Sequence, residues 1–78
     1  MRTLYLSALP FRTDESSIRK LVEPYGPLGQ IQLFAHWEEP TFEPYALVQV
    51  ERITEAVEGL DGMKIGNMHL RAHERPSQ

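Results

Sequence analysis

The spacing of apolar residues in this sequence changes from segment to segment, and these changes restrict the fold more than any other feature. Residues 3–7 alternate apolar and polar side chains, which is typical of a strand with one buried face. After Asp14, a candidate N-cap, apolar side chains recur at i, i+3, i+4 and i+7 up to residue 25, which predicts a helix. The two spacings then return in the order strand, strand, helix, strand, over residues 30–35, 44–50, 53–60 and 68–73.

These predicted elements form one domain of the α+β class. Each strand has one apolar face and each helix one apolar stripe, so a single sheet with both helices on the same side buries all of them together. This arrangement is the ferredoxin-like βαββαβ sandwich, with a four-stranded antiparallel sheet. Because 78 residues leave no room for a second domain, we expect this domain at residues 1–74 and a flexible tail at residues 75–78. The predicted core consists of Leu4, Leu6, Ile18, Leu21, Val22, Ile31, Leu33, Ala46, Val48, Val50, Val57, Leu60, Leu70 and Ala72.

Four segments resemble the motifs of one family, the RNA recognition motif. Residues 4–9 (LYLSAL) resemble the ribonucleoprotein hexamer of its first strand. Residues 43–50 (EPYALVQV) resemble the octamer of its third strand, which runs K/R-G-F/Y-G/A-F-V-x-F/Y. Residues 21–26 (LVEPYG) and 56–62 (AVEGLDG) resemble the ends of its two helices. The resemblance extends over about residues 2–74, and it implies the strand order 4-1-3-2 and a small single-domain RNA-binding protein.

The resemblance also implies that the first and third strands lie side by side at the centre of the sheet, where they hold single-stranded RNA. Tyr5 occupies the stacking position of the hexamer, and Tyr45 the first stacking position of the octamer. Stacking on such rings is worth about 1–3 kcal/mol per base. Alternatively, the two tyrosines only complete a β-rich surface, where tyrosine is common. The predicted RNA-binding residues are Tyr5, Ser7, Gln32, Tyr45, Leu47, Gln49, Arg71 and His73.

Three positions depart from the family octamer, and two of them, Leu47 and Glu43, lower the affinity that we expect for RNA. Leu47 replaces the second stacking ring, Glu43 stands where a phosphate-binding Lys or Arg is usual, and Pro44 replaces a glycine. The net charge is −3, although much of the negative charge falls on or beside the predicted helices, away from the RNA face. We therefore expect few phosphate contacts and modest affinity. The acidic residues on or beside the helices are Asp14, Glu15, Glu23, Glu51, Glu55, Glu58 and Asp61.

Catalysis and metal binding find little support in the sequence. His69 and His73 share a face of the last predicted strand, but at about 3.3 Å per residue they lie roughly 13 Å apart, too far to share one ion. Ser7 has no third group that would orient a catalytic base. Residues 8–12 lack the glycine that a phosphate-cradling loop of the acylphosphatase type needs. We therefore expect no enzymatic activity, no metal and no cofactor.

The main alternative function is a protein-binding module. Some members of the family that this chain resembles hold a peptide on the sheet or on the helices instead of RNA. Trp37 and Phe42, in the loop after the second predicted strand, are candidate anchors for such a protein partner. The alternative interpretation is that Trp37 or Phe42 folds back over the sheet edge or the core.

The sequence also favours the cell interior. It contains no cysteine, so disulfides and thiolate metal sites are excluded. Arg12 and Asp14 interrupt the only early apolar run, and no segment approaches the length of a membrane span. We therefore expect no membrane partner and an intracellular location, in the cytoplasm or, in a eukaryote, the nucleus.

Overall fold

The computed structural model describes residues 1–39 and 41–75, which form one main sheet, a small hairpin and two helices. In chain order the elements are β1 (Arg2–Ser7), α1 (Glu15–Val22), β2 (Leu28–Phe34), β3 (Tyr45–Val50), α2 (Ile53–Leu60), β4 (Lys64–Ile65), β5 (Met68–His69) and β6 (Arg71–Glu74). The main sheet is antiparallel, in the order β2-β3-β1-β6, and β4 and β5 form the hairpin. With β6 counted as the fourth strand, the predicted order 4-1-3-2 is confirmed.

Asp14 begins α1 as the sequence predicts. Its backbone is extended, and its carboxylate Oδ1 accepts a hydrogen bond from the Ser17 N–H at 2.8 Å. This bond lowers the pKa of Asp14, because it stabilises the ionised carboxylate. A 3₁₀ turn at Glu23–Tyr25, with Pro24 in it, follows the helix, and Gly26 ends it with φ at 101°.

Both helices pack on one face of the sheet, where the apolar positions of strands and helices form a single core. Leu9 joins this core although it follows the end of β1 and lies outside the sheet. The predicted core residues that are only partly buried, at the rim, are Leu21, Ile31, Leu33 and Val57. The buried residues are Leu4, Leu6, Leu9, Ile18, Val22, Ala46, Val48, Val50, Ile53, Ala56, Leu60, Leu70 and Ala72.

The prediction of one continuous last strand over residues 68–73 is wrong. The chain forms two short strands instead, because β5 pairs with β4 whereas β6 pairs with β1 in the main sheet. Leu70 lies between them: its N–H donates to the Met63 carbonyl at 2.8 Å, and its carbonyl accepts from the Gly62 N–H at 2.7 Å. These bonds close the hairpin, whose turn contains Gly66. An alternating pattern cannot reveal a change of partner strand, because both halves keep the same period.

Two other strands begin at different residues from those predicted. β2 begins at Leu28, ahead of the predicted Gln30, and contains a bulge after Leu28. The Gln30 N–H in this bulge donates to Oε1 of Gln49 on β3, at 3.0 Å. β3 begins at Tyr45 and not at Pro44, since proline has no N–H to contribute to the ladder.

The predicted tail begins next to the end of β6. The Arg75 N–H donates to the Thr3 carbonyl at 2.8 Å, so backbone pairing with β1 extends one residue past β6. The remaining predicted tail residues, Pro76, Ser77 and Gln78, lie outside the described part of the chain.

Leu6→Ala should lower the free energy of unfolding by about 2–5 kcal/mol, because it opens a cavity among fully buried side chains. Leu47→Ala is the matched control, since it removes the same atoms from the opposite, half-buried face of the sheet. Urea denaturation followed by circular dichroism measures both losses. The Leu6 variant should lose clearly more free energy of unfolding than the Leu47 variant. Equal losses in the two variants would contradict the strand register described above.

The contribution of Asp14 to stability should depend on pH. The folded-state pKa of Asp14 lies below its ordinary value of 3.8, so its carboxylate stabilises the fold above that pH, and this stabilisation is lost as the pH falls through the folded-state pKa. Asp14→Ala should therefore lower the melting temperature at neutral pH, and the difference from the wild type should shrink in strong acid. Thermal unfolding over a pH series measures this difference. A difference that stays constant into strong acid would contradict the ionised N-cap.

Candidate nucleic-acid interface

Four rings stack across the sheet, on the face opposite the core. Phe34 of β2 stacks on Tyr45 of β3, with ring centroids 4.8 Å apart and planes inclined by 20°. Tyr45 stacks on Tyr5 of β1 at 5.4 Å and 17°, and Tyr5 stacks on the His73 imidazole of β6 at 4.8 Å and 23°. These spacings are close to the separation of neighbouring strands, about 4.8 Å, so each strand contributes one ring. We call Phe34, Tyr45, Tyr5 and His73 the aromatic stripe.

The strand register brings all of the predicted RNA-binding residues onto this face. Directly paired residues form two lines across the sheet: Phe34, Tyr45, Ser7 and Arg71 in one, and Gln32, Leu47, Tyr5 and His73 in the other. Gln49 pairs with Thr3 in the next line. The aromatic stripe crosses from the first line to the second between Tyr45 and Tyr5, which are diagonal neighbours. Polar side chains therefore lie beside the rings in both lines.

Phe34 belongs to the aromatic stripe although it is not among the RNA-binding residues predicted from the sequence. The alternation of residues 30–35 places its side chain on the outward face of the second strand, together with Gln32. The side chain is 36% exposed and pairs directly with Tyr45. Its outward position would have identified Phe34 as a site residue only together with the β2–β3 register, which pairs it with Tyr45. Neither strand sequence alone determines that register.

The Gln49 side chain has a structural role at the margin of the face. Its Oε1 accepts the Gln30 N–H inside the β2 bulge. A Cβ at Gly29 would lie 2.5 Å from this oxygen, so glycine is what allows the amide to close over the bulge. The Gln49 amide NH₂ group is the part of the side chain that this bond leaves for other partners.

Positive charge on this face is small. Arg71 is exposed and pairs with Ser7 in the first line of residues. Arg2 does not add to this positive charge. Its partner on β3 is the buried Val50, so the Arg2 side chain lies on the core side of the sheet, where it forms an ion pair with Glu74. Arg12 lies in the β1–α1 loop with its guanidinium carbon 5.3 Å from the Phe11 ring.

The two loop aromatics, Trp37 and Phe42, are half-buried rather than free. Trp37 packs against the Phe11 ring of the β1–α1 loop, at 5.5 Å and 73° between the planes. Phe42 packs edge-to-face against the His36 ring, at 4.6 Å and 86°. Phe11 itself is 67% exposed. These contacts pack each loop aromatic against another ring.

A recess of about 510 Å³ adjoins the aromatic stripe at the end of β1. Ala8 has a left-handed backbone, with φ at 57°, and the chain leaves the sheet there, directly after Ser7. We call this cavity the end recess. Its walls are formed by Tyr5, Ser7, Ala8, Leu9, Phe42, Glu43, Pro44, Met68 and Arg71.

The described residues show neither a metal centre nor a membrane span. Across residues 1–39 and 41–75, no three histidine or acidic side chains are grouped so that they could hold an ion. No helix within these ranges is both long and apolar enough to cross a bilayer.

Comparison with known families settles what kind of domain this is. A sequence model of the RNA recognition motif matches residues 4–71. The chain belongs to the RNA recognition motif family. The predicted family is confirmed, and domains of this family generally bind RNA and are not enzymes. No curated protein sequence matches the chain significantly.

Solved RNA recognition motifs share the fold along almost the whole chain. The third such domain of Pes4 has a TM-score of 0.85 at 16% identity, covering 100% of this chain and 95% of its own. The Rna15 domain, solved with bound RNA (GU), has a TM-score of 0.82 at 22% identity, covering 97% of this chain and 84% of its own. The third domain of Gbp2 has a TM-score of 0.73 at 25% identity, covering 96% and 77%. The predicted fold class is confirmed.

Proposed function

We propose that this RNA recognition motif holds single-stranded RNA on the open face of its sheet, with bases stacked on Tyr5 and Tyr45. The observation that carries the proposal is the aromatic stripe, which spans every strand of the main sheet on the face that the helices do not cover. Every base has a π-face, so parallel rings on rigid strands suit single-stranded RNA of varied sequence.

The two tyrosines occupy the central strands, β1 and β3, whereas Phe34 and His73 lie on the edge strands. Because neighbouring rings already lie against one another at 4.8–5.4 Å, a base that stacks on Tyr5 or Tyr45 takes the place of one ring contact and lies next to the remaining ring. This arrangement supports several adjacent stacking positions, even though Leu47 stands where the family octamer has its second ring.

Polar groups beside the rings support contacts with base edges and with the sugar–phosphate backbone. Ser7 pairs directly with Tyr45, and Gln32 pairs directly with Leu47. Hydroxyl and amide groups both donate and accept, so they suit the Watson–Crick edges of unpaired bases. Arg71 adds one cation for a phosphate or a base.

Modest affinity follows from the charge of the molecule. The chain carries a net charge of −3, and the exposed cation within the two lines of residues on the open face is Arg71. Phosphate contacts supply much of the affinity of most RNA-binding domains and all of its steep salt dependence. Stacking therefore contributes a larger share here than it does in a basic domain.

The comparisons support this proposal more than the protein-binding alternative. The Rna15 domain that shares the fold was solved with RNA (GU). Trp37 and Phe42, the anchors considered for a protein partner, pack instead against the rings of Phe11 and His36.

Tyr5→Ala and Tyr45→Ala should each weaken the binding of single-stranded RNA by about 1–3 kcal/mol, because each removes one stacking ring. Phe34→Ala should cost less, since this ring lies on an edge strand. Fluorescence anisotropy with a labelled RNA pool measures affinity, and circular dichroism checks the fold. Thr54→Ala, an exposed change on α2, is the control. RNA affinity that neither tyrosine substitution changes would refute stacking on this face.

Leu47→Phe should strengthen RNA binding by about 1 kcal/mol, because it places a ring between Gln32 and Tyr5 in the second line of residues. Leu47→Met is the matched control, since it keeps an apolar side chain of similar length without a ring. The same anisotropy assay measures both variants. If Leu47→Met gains as much as Leu47→Phe, apolar contact and not stacking accounts for the improvement.

A further inference from the structure

The end recess continues the stacking surface. Tyr5 belongs both to the aromatic stripe and to the wall of the recess, and Ser7 in the same wall pairs with Tyr45. A strand of RNA that stacks on the stripe therefore reaches the recess without leaving the protein surface. The volume of about 510 Å³ lies within the range of small-molecule pockets, about 300–1,000 Å³.

Two opposite charges line this recess. Glu43 precedes β3, and Arg71 begins β6, so they come from opposite sides of β1. Within residues 1–39 and 41–75, the ion pairs formed are Arg2–Glu74 and Arg19–Glu15, so neither Glu43 nor Arg71 is neutralised by a partner there. A carboxylate only accepts hydrogen bonds, and a guanidinium only donates them.

The remaining walls of the recess are apolar, and they can contact the face of a planar ligand. Met68 is 41% exposed in the β4–β5 hairpin, and its thioether can contact the face or edge of an aromatic ring. Phe42 and Pro44 form the wall on the side of β3. The recess thus combines apolar walls with one acceptor group and one donor group.

Guanine is the base that uses both charged groups fully. Its N1–H and N2–H₂ groups are adjacent donors, which match the two oxygens of a carboxylate, and its O6 and N7 atoms are adjacent acceptors, which match a guanidinium. Adenine and cytosine offer a carboxylate one amino group, and uracil offers it a single ring N–H.

We infer that the end recess is a guanine-binding pocket, in which Glu43 accepts from the N1–H and N2–H₂ edge and Arg71 donates to O6 and N7. This inference rests on the proposed function, because the guanine arrives as part of RNA stacked on the aromatic stripe. It also gives Glu43 a role. The carboxylate repels the RNA backbone but binds the donor edge of one neutral base. It therefore lowers the affinity for RNA in general and raises the selectivity for guanine.

The test uses short oligouridine RNAs in which one central position is uridine, guanosine, inosine or 7-deazaguanosine. Inosine lacks the N2 amino group, and 7-deazaguanosine lacks N7. The wild type should bind the guanosine RNA about tenfold or more tighter than all-uridine RNA, and should lose part of this preference with either analogue.

Each analogue reports on one residue. Glu43→Ala should bind the guanosine and inosine RNAs equally, and Arg71→Ala should bind the guanosine and 7-deazaguanosine RNAs equally. Glu43→Ala should also weaken guanosine RNA while leaving all-uridine RNA unchanged or tighter, because the repulsion of phosphate is relieved. Glu58→Ala on α2 and Arg19→Ala on α1 are the controls, since they change the net charge equally but lie on the helices, away from the recess.

Two further results separate this inference from the proposed function. If the wild type binds RNA through Tyr5 and Tyr45 but shows no preference for guanosine, or if Glu43→Ala strengthens all RNAs equally, the guanine pocket is refuted and the stacking platform stands. If no oligonucleotide binds, or if the RNA affinity is unchanged by Tyr5→Ala and by Tyr45→Ala, the proposed function is refuted, and the guanine pocket is refuted with it.

Discussion

Two helices bury one face of the sheet, and this burial fixes both the strand register and the face that stays open. The alternating strands place Leu4, Leu6 and Val48 on the buried face, and α1 and α2 cover it with Ile18 and Leu60 among the residues of their apolar stripes. A domain of this size has only these two layers, so the opposite face of the sheet has no protein partner within the described residues. Whatever the alternation places on that opposite face is available to a ligand.

The strand order converts this open face into a stacking surface. Because β1 lies between β3 and β6, and β3 lies between β1 and β2, four rings that are distant in sequence become neighbours. Register matters as much as order: a slip of one residue between paired strands would turn Tyr5 or Tyr45 toward the core and bring a leucine or an alanine outward. The same burial that stabilises the domain therefore fixes the positions of the rings.

The distribution of charge gives the surface a character unlike that of a basic RNA-binding domain. Arg71 and Glu43 lie at the same end of the open face, beside Tyr5, while the ion pair between Arg2 and Glu74 lies on the core side of the sheet. Long-range attraction to phosphate is consequently weak, so the proposed binding of RNA relies more on contacts with the bases. A small acidic domain can be selective for RNA under these conditions, because hydrogen bonds to base edges act at short range and do not require a positive net charge.

Features controlled by local periodicity and local hydrogen bonding could be predicted from the sequence alone. The alternation of Leu4 and Leu6 with Tyr5, and the cap at Asp14, are properties of neighbouring residues, so the strands, the helix start and the outward tyrosines could be predicted. Which outward residues become neighbours could not be predicted in this way, because it depends on how the strands pair. The pairing of Phe34 with Tyr45, the break at Leu70 and the end recess between β1, β3 and β6 depend on contacts between segments distant in the chain. Such contacts are selected by the simultaneous burial of all the apolar faces, which no single segment encodes.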